Sequence, residues 1–155
     1  MKRVFALLIL VLFSHDLHAI TLGYEEVLLG DTRKNVVNII NNKYSNYRVE
    51  EKVDERFGIP AIVISILKQG RRYEISLEFN YKDILNHINV VVYGMKDGEY
   101  SGLLDGLQAK YGSPDEIKTF EKPNMFWKLD KNRYEMQVSH WGDYVQIEYW
   151  YYPNR

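Results

Sequence analysis

The chain has 155 residues, 20 basic against 21 acidic side chains, a formal charge of −1 and no cysteine. That is one domain's length, and it carries no basic excess to displace counterions, so nucleic acid is excluded as the expected partner. The missing cysteine excludes disulfides, thiolate zinc sites and a lipid-bearing cysteine.

Lys2 and Arg3 precede an unbroken apolar run, Val4 to Phe13, and Ser14 to Ala19 turns polar and ends in a small residue. This is the layout of a cleaved signal peptide, and the run is about half the roughly 20 residues a membrane span needs. Residues 1–19 are read as a signal peptide cleaved near Ala19, and 20–155 as a single α+β domain. The expected address is therefore periplasmic or secreted, with no transmembrane segment or lipid anchor in the mature chain. Removing Lys2, Arg3 and Asp16 leaves 18 basic and 20 acidic residues.

The periodicity predicts a helix from Thr32 to Tyr44, capped by Asp31 or Thr32, with Val36, Ile39, Ile40 and Tyr44 on one face. Tyr47 to Val53 is polar and alternating, as at a sheet edge. Ala61 to Lys68 is a β-branched apolar run, and Gln69-Gly70 is a turn. In Arg72 to Phe79, Tyr73, Ile75, Leu77 and Phe79 oppose Arg72, Glu74, Ser76 and Glu78. Ile84 to Tyr93 is the next strand. A second helix spans Tyr100 to Tyr111, stopped by Gly112 and Pro114; Gly102 and Gly106 within it suggest close approach to a sheet. Glu116 to Phe120, Phe126 to Leu129, Arg133 to Ser139 and Tyr144 to Tyr152 complete the strands, with turns at Lys131-Asn132 and Gly142-Asp143. Short connections imply antiparallel hairpins. The expected fold is an antiparallel sheet with helices on one face.

The order is helix, four strands, helix, four strands. Arg72-Tyr73-Glu74-Ile75-Ser76-Leu77 matches Arg133-Tyr134-Glu135-Met136-Gln137-Val138 in pattern, 61 residues apart, and we read an internal duplication of about 30–94 and 99–152. The stretch Gly30-Asp31-Thr32-Arg33-Lys34-Asn35-Val36 resembles the Gly-x-Thr-x-x-x-Val helix start of small bacterial envelope domains. These include β-lactamase-inhibitor-like proteins and the small subunit of the outer-membrane assembly machinery. Lys110-Tyr111-Gly112-Ser113-Pro114 is similar to the helix end of the same group. The resemblance implies tandem helix-on-sheet units and protein–protein binding in the periplasm. The absent lipid-bearing cysteine departs from the assembly subunit.

Little catalytic equipment is visible. His15 and His18 leave with the signal peptide, and neither His87 nor His140 has a partner at metal-ligand spacing; each is read as a strand-face or turn histidine. No nucleophile motif, Gly-rich phosphate loop or calcium series is present. Asp97-Gly98-Glu99 is read as turn chemistry. Glu74, Glu78, Glu135 and Glu148 lie on predicted strands as solvated carboxylates. No metal, cofactor or catalytic residue is expected, and the chain is not expected to be an enzyme.

The 13 Tyr and 3 Trp thicken toward the C-terminus. Alternation puts Val145, Ile147 and Tyr149 on one face of the last strand. Tyr144, Gln146, Glu148, Trp150 and Tyr152 lie on the other, with Arg133, Glu135, Gln137, Ser139 and Trp141 beside them. A half-solvated face of this composition suits a binding surface, though Tyr and Trp also simply favour strands. The expected binding residues are Arg133, Glu135, Gln137, Trp141, Tyr144, Gln146, Glu148, Trp150 and Tyr152. The expected partner is another protein in the envelope or outside the cell, with an inhibitor or immunity-type role. An envelope assembly accessory and a glycan-binding or cell-wall glycan-acting protein are the alternatives.

Overall fold

The computed structural model describes residues 27–43, 46–53, 58–68, 70–119, 122–129 and 132–152. The signal-peptide segment and its cleavage site lie outside the described residues, as do Tyr44, Gln69, Phe120 and Lys131.

Helix α1 (Arg33–Lys43) leads into strands β1 (Arg48–Val53), β2 (Pro60–Lys68), β3 (Arg71–Phe79) and β4 (Leu85–Tyr93). Helix α2 (Asp97–Tyr111) leads into β5 (Glu116–Thr119), β6 (Pro123–Leu129), β7 (Tyr134–Trp141) and β8 (Tyr144–Tyr151). The eight strands form one sheet in the order β1-β2-β3-β4-β8-β7-β6-β5. Every adjacent pair is antiparallel. Each half is thus a helix followed by a four-stranded meander, and the halves meet where β4 pairs with β8. Aligning the β3–β4 hairpin on the β7–β8 hairpin sets Ile88 against Ile147 and Val90 against Tyr149. The central pairs Ile88↔Tyr149 and Val90↔Ile147 exchange under that alignment, so the register has two-fold character.

Strand alternation decides which side is core. Ile62, Ile64, Ile66, Tyr73, Ile75, Leu77, Ile88, Val90, Val92, Val145, Ile147, Met136, Val138 and Trp127 all point to one face. Val36 and Ile40 of α1 and Tyr100, Leu103, Leu104 and Leu107 of α2 join the same buried cluster. Both helices therefore cover one face of the sheet, and among the described residues no helix or strand covers the opposite face. Polar contacts also tie α2 to the sheet, among them Tyr100 Oη, which donates to the Pro123 carbonyl at 2.5 Å, and Trp127 Nε1, which donates to the Gly112 carbonyl at the helix end at 3.0 Å.

Three details correct the sequence reading. Helix α2 starts at Asp97, one turn earlier than expected. Glu99 Oε2 accepts the Lys96 N–H at 2.8 Å, and two acidic residues in the first turn complement the helix dipole. Asp97-Gly98-Glu99 is therefore helix and not a free turn. Gly102 makes no close approach: a methyl group there would meet nothing within 4 Å. Gly112 ends the helix with φ 83° and ψ −171°, an extended positive-φ geometry reserved for glycine, and its N–H reaches the Gln108 carbonyl at 2.9 Å. At α1, Thr32 is the capping residue, its Oγ1 accepting the Asn35 N–H at 3.4 Å.

Candidate functional site: the open sheet face

The open face is built from the strand positions that alternation turns away from the helices. Registered neighbours run across it in rows. Glu78, His87, Trp150 and Glu135 form one row over β3, β4, β8 and β7. Ser76, Asn89, Glu148 and Gln137 form the next, and Tyr93, Tyr144 and Trp141 lie at the far end, where the Arg72 guanidinium sits over the Tyr93 ring at 4.8 Å.

At the centre sits a cluster of opposite charges. His87 Nδ1 lies 2.8 Å from Glu78 Oε2. Its Nε2 faces Glu148 Oε1 at 3.4 Å, an ion-pair contact without hydrogen-bond alignment. The imidazole is stacked on the Trp150 indole, ring centroids 5.0 Å apart and planes within 5°. Burial alone would lower the imidazole pKa, but contacts with Glu148 and Glu78 outweigh it and raise the value to about 9. His87 is an imidazolium at neutral pH.

Beside this cluster the face forms an open cup of about 580 Å³, lined among others by Asp115, Glu116, Phe126, Lys128, Glu135, Gln137, Trp150 and Tyr152. Asp115 Oδ2 accepts the Lys128 backbone N–H at 2.6 Å. Gln137 Nε2 donates to Ser139 Oγ at 2.7 Å. Glu116 pairs with Lys118 at 3.3 Å. Lys118 in turn lies over the Phe126 ring, 4.8 Å from its centroid.

The family model described as TP0088 domain matches residues 22–150, the stretch that holds both helices and nearly all of the sheet. The chain belongs to the TP0088 domain family. No curated protein and no solved structure matches it. Membership of the TP0088 domain family lends no support to the resemblance to β-lactamase-inhibitor-like proteins. Among the described residues of this TP0088 domain, no helix is long and apolar enough to cross a membrane. No described group of three His, Asp or Glu side chains is arranged to hold a metal ion.

The nine residues singled out from the sequence are distributed as follows. Glu135, Gln137, Trp150 and Tyr152 come together in the cup. Glu148 stands behind Trp150 with His87. Gln146 donates from Nε2 to Asn89 Oδ1 at 3.2 Å, farther along the face. Tyr144 packs against Tyr93, ring centroids 5.9 Å apart, and Trp141 is 47% exposed beside it. Arg133 sits in the turn before β7, its carbonyl accepting the Tyr152 N–H at 2.8 Å. Ser139, expected to face outward, is fully buried under its bond from Gln137.

His140 does not join this face. It pairs in register with Val145 on the helix side and meets the Tyr100 ring edge-on, centroids 5.0 Å apart. Glu135 and Glu148 are thus separated by the sheet from the histidine nearest them in sequence. His87 and Glu78 were overlooked as site residues. A β-bulge between Glu78 and Phe79 lets Phe79 pair with Leu85 while Glu78 pairs with His87. Asn86 is then the extra residue, and counting from the turn misplaces the histidine.

Proposed function

We propose that this TP0088 domain is a binding protein that works outside the cytoplasm, after loss of residues 1–19, and engages another protein through its open sheet face. An inhibitor or immunity-type role fits such a surface, and no catalytic set is assigned. The observation that carries the reading is the cup. Glu135 and Gln137 of β7, Trp150 of β8 and Tyr152 just after β8 line one concavity with Phe126 and Lys128. Aromatic anchors in a pocket ringed by polar groups are the composition of an interface hot spot. The lining holds the carboxylates of Asp115, Glu116 and Glu135 against the single ammonium of Lys128, a negative balance that favours a basic entering group.

A second reading has its own support. The volume, about 580 Å³, falls in the range of small-ligand sites, and an aromatic wall with carboxylates also suits a sugar ring. The two readings separate in one comparison. Tagged wild-type protein and its Trp150→Ala variant are used to capture partners from the extracytoplasmic fraction, in parallel with titration by cell-wall oligosaccharides. Loss of a captured protein in Trp150→Ala, with a melting temperature only a few degrees lower, supports protein binding. Saturable oligosaccharide binding without a protein partner replaces it by the glycan reading. Mass spectrometry of the captured bait reports its N-terminus, expected at Ile20; an intact Met1 start contradicts export by cleavage.

A further inference from the structure

We infer that His87, clamped between Glu78 and Glu148, is a positioning residue that holds the Trp150 ring in place as a wall of the cup. The inference rests on reading the cup as a binding site and deepens it. Both ring nitrogens of His87 face carboxylate oxygens, at 2.8 Å on the β3 side and 3.4 Å on the β8 side. That fixes the imidazole plane, and the indole lies parallel to it within 5°. The cation lies under the negative face of the indole, an attractive arrangement that favours a single ring orientation. A ring already held in one rotamer has less freedom to lose when a ligand arrives.

The clamp is electrostatically self-contained. Glu78 faces His87 from β3, and Glu148 faces it from β8. The nearest β2 positions on that face are the uncharged Ala61 and Val63, which pair with Glu78 and Ser76. On the far side of Trp150 the next charged group is Glu135, its registered neighbour on β7. Side-chain exposure is 13% for His87, 17% for Glu148 and 27% for Glu78, so solvent screens the cluster only in part.

The test uses the ligand-free protein, so it stands apart from partner capture. NMR should show the His87 ring titrating with a midpoint near pH 9, and the Trp150 indole N–H shift following the same midpoint. The order parameter of that indole N–H should be about 0.85 in the wild type and below about 0.6 in His87→Gln. Glu78→Gln should bring the shared midpoint down toward the ordinary histidine value. A His87 midpoint near 6.5 with a silent Trp150, or an unchanged Trp150 order parameter in His87→Gln, overturns the inference. If His87→Gln does not fold, the wild-type pH series decides. Failure here removes the positioning role and leaves the binding reading to partner capture. Capture unaffected by Trp150→Ala removes the cup as a binding site and leaves the ring titration as it is.

Discussion

His87 should make stability depend on pH in a defined window. Its folded pKa is about 9, above the unfolded value near 6.5. The clamp therefore contributes its full stabilisation below about pH 6.5 and loses it as pH rises through 9. The shift corresponds to roughly 3 kcal/mol. Melting temperature should fall between pH 6.5 and 9 in the wild type, and this slope should be absent in His87→Gln. An equal slope in both would place the titrating group elsewhere. The clamp was only partly legible in the sequence. Alternation turns Glu78 and Glu148 outward, and that much could be read. The partner could not, because one bulge residue at Asn86 reverses the parity of β4 just before His87, and a bulge leaves no composition signal. The same limit applies to Ser139: alternation gives its face correctly, but its burial depends on where the Gln137 side chain lies.

At the scale of the element, helix α2 offers two glycines with opposite expectations. Gly102 is exposed, with open space where a methyl would go, so Gly102→Ala should stabilise the protein by about 0.5–1 kcal/mol in denaturant unfolding. Gly112 has φ 83° and ψ −171°, so Gly112→Ala should destabilise it by about 1–3 kcal/mol. Equal effects at the two sites would contradict the helix end described here. The helix bodies were readable from Leu103, Leu104 and Leu107 at helical spacing. The early start of α2 was not, because it depends on Glu99 folding back to the Lys96 N–H while also holding Arg71 at 2.9 Å from another strand. The eight strands expected from the sequence are the eight observed, since apolar and polar residues alternate through β3, β7 and β8. The edge position of β1 was also legible in its charges, Arg48, Glu50, Glu51 and Lys52.

Across the whole molecule, the two helix-plus-meander halves share one sheet and one core. Val90↔Ile147 and Ile88↔Tyr149 close the junction with buried side chains. The buried cluster runs unbroken across both halves, so denaturant unfolding followed by Trp fluorescence and by circular dichroism should give one coincident transition. Two separated transitions would mean independent halves. Both helices pack on one face of the sheet, so the proposed partner contact is expected on the other. That is the central claim, and site-specific photo-crosslinking in the native compartment tests it most directly. A photoreactive residue replacing Gln137 in the cup should give a discrete adduct, while one replacing the exposed Asp105 on α2 should give none. Adducts at Asp105 with none at Gln137 would contradict the account.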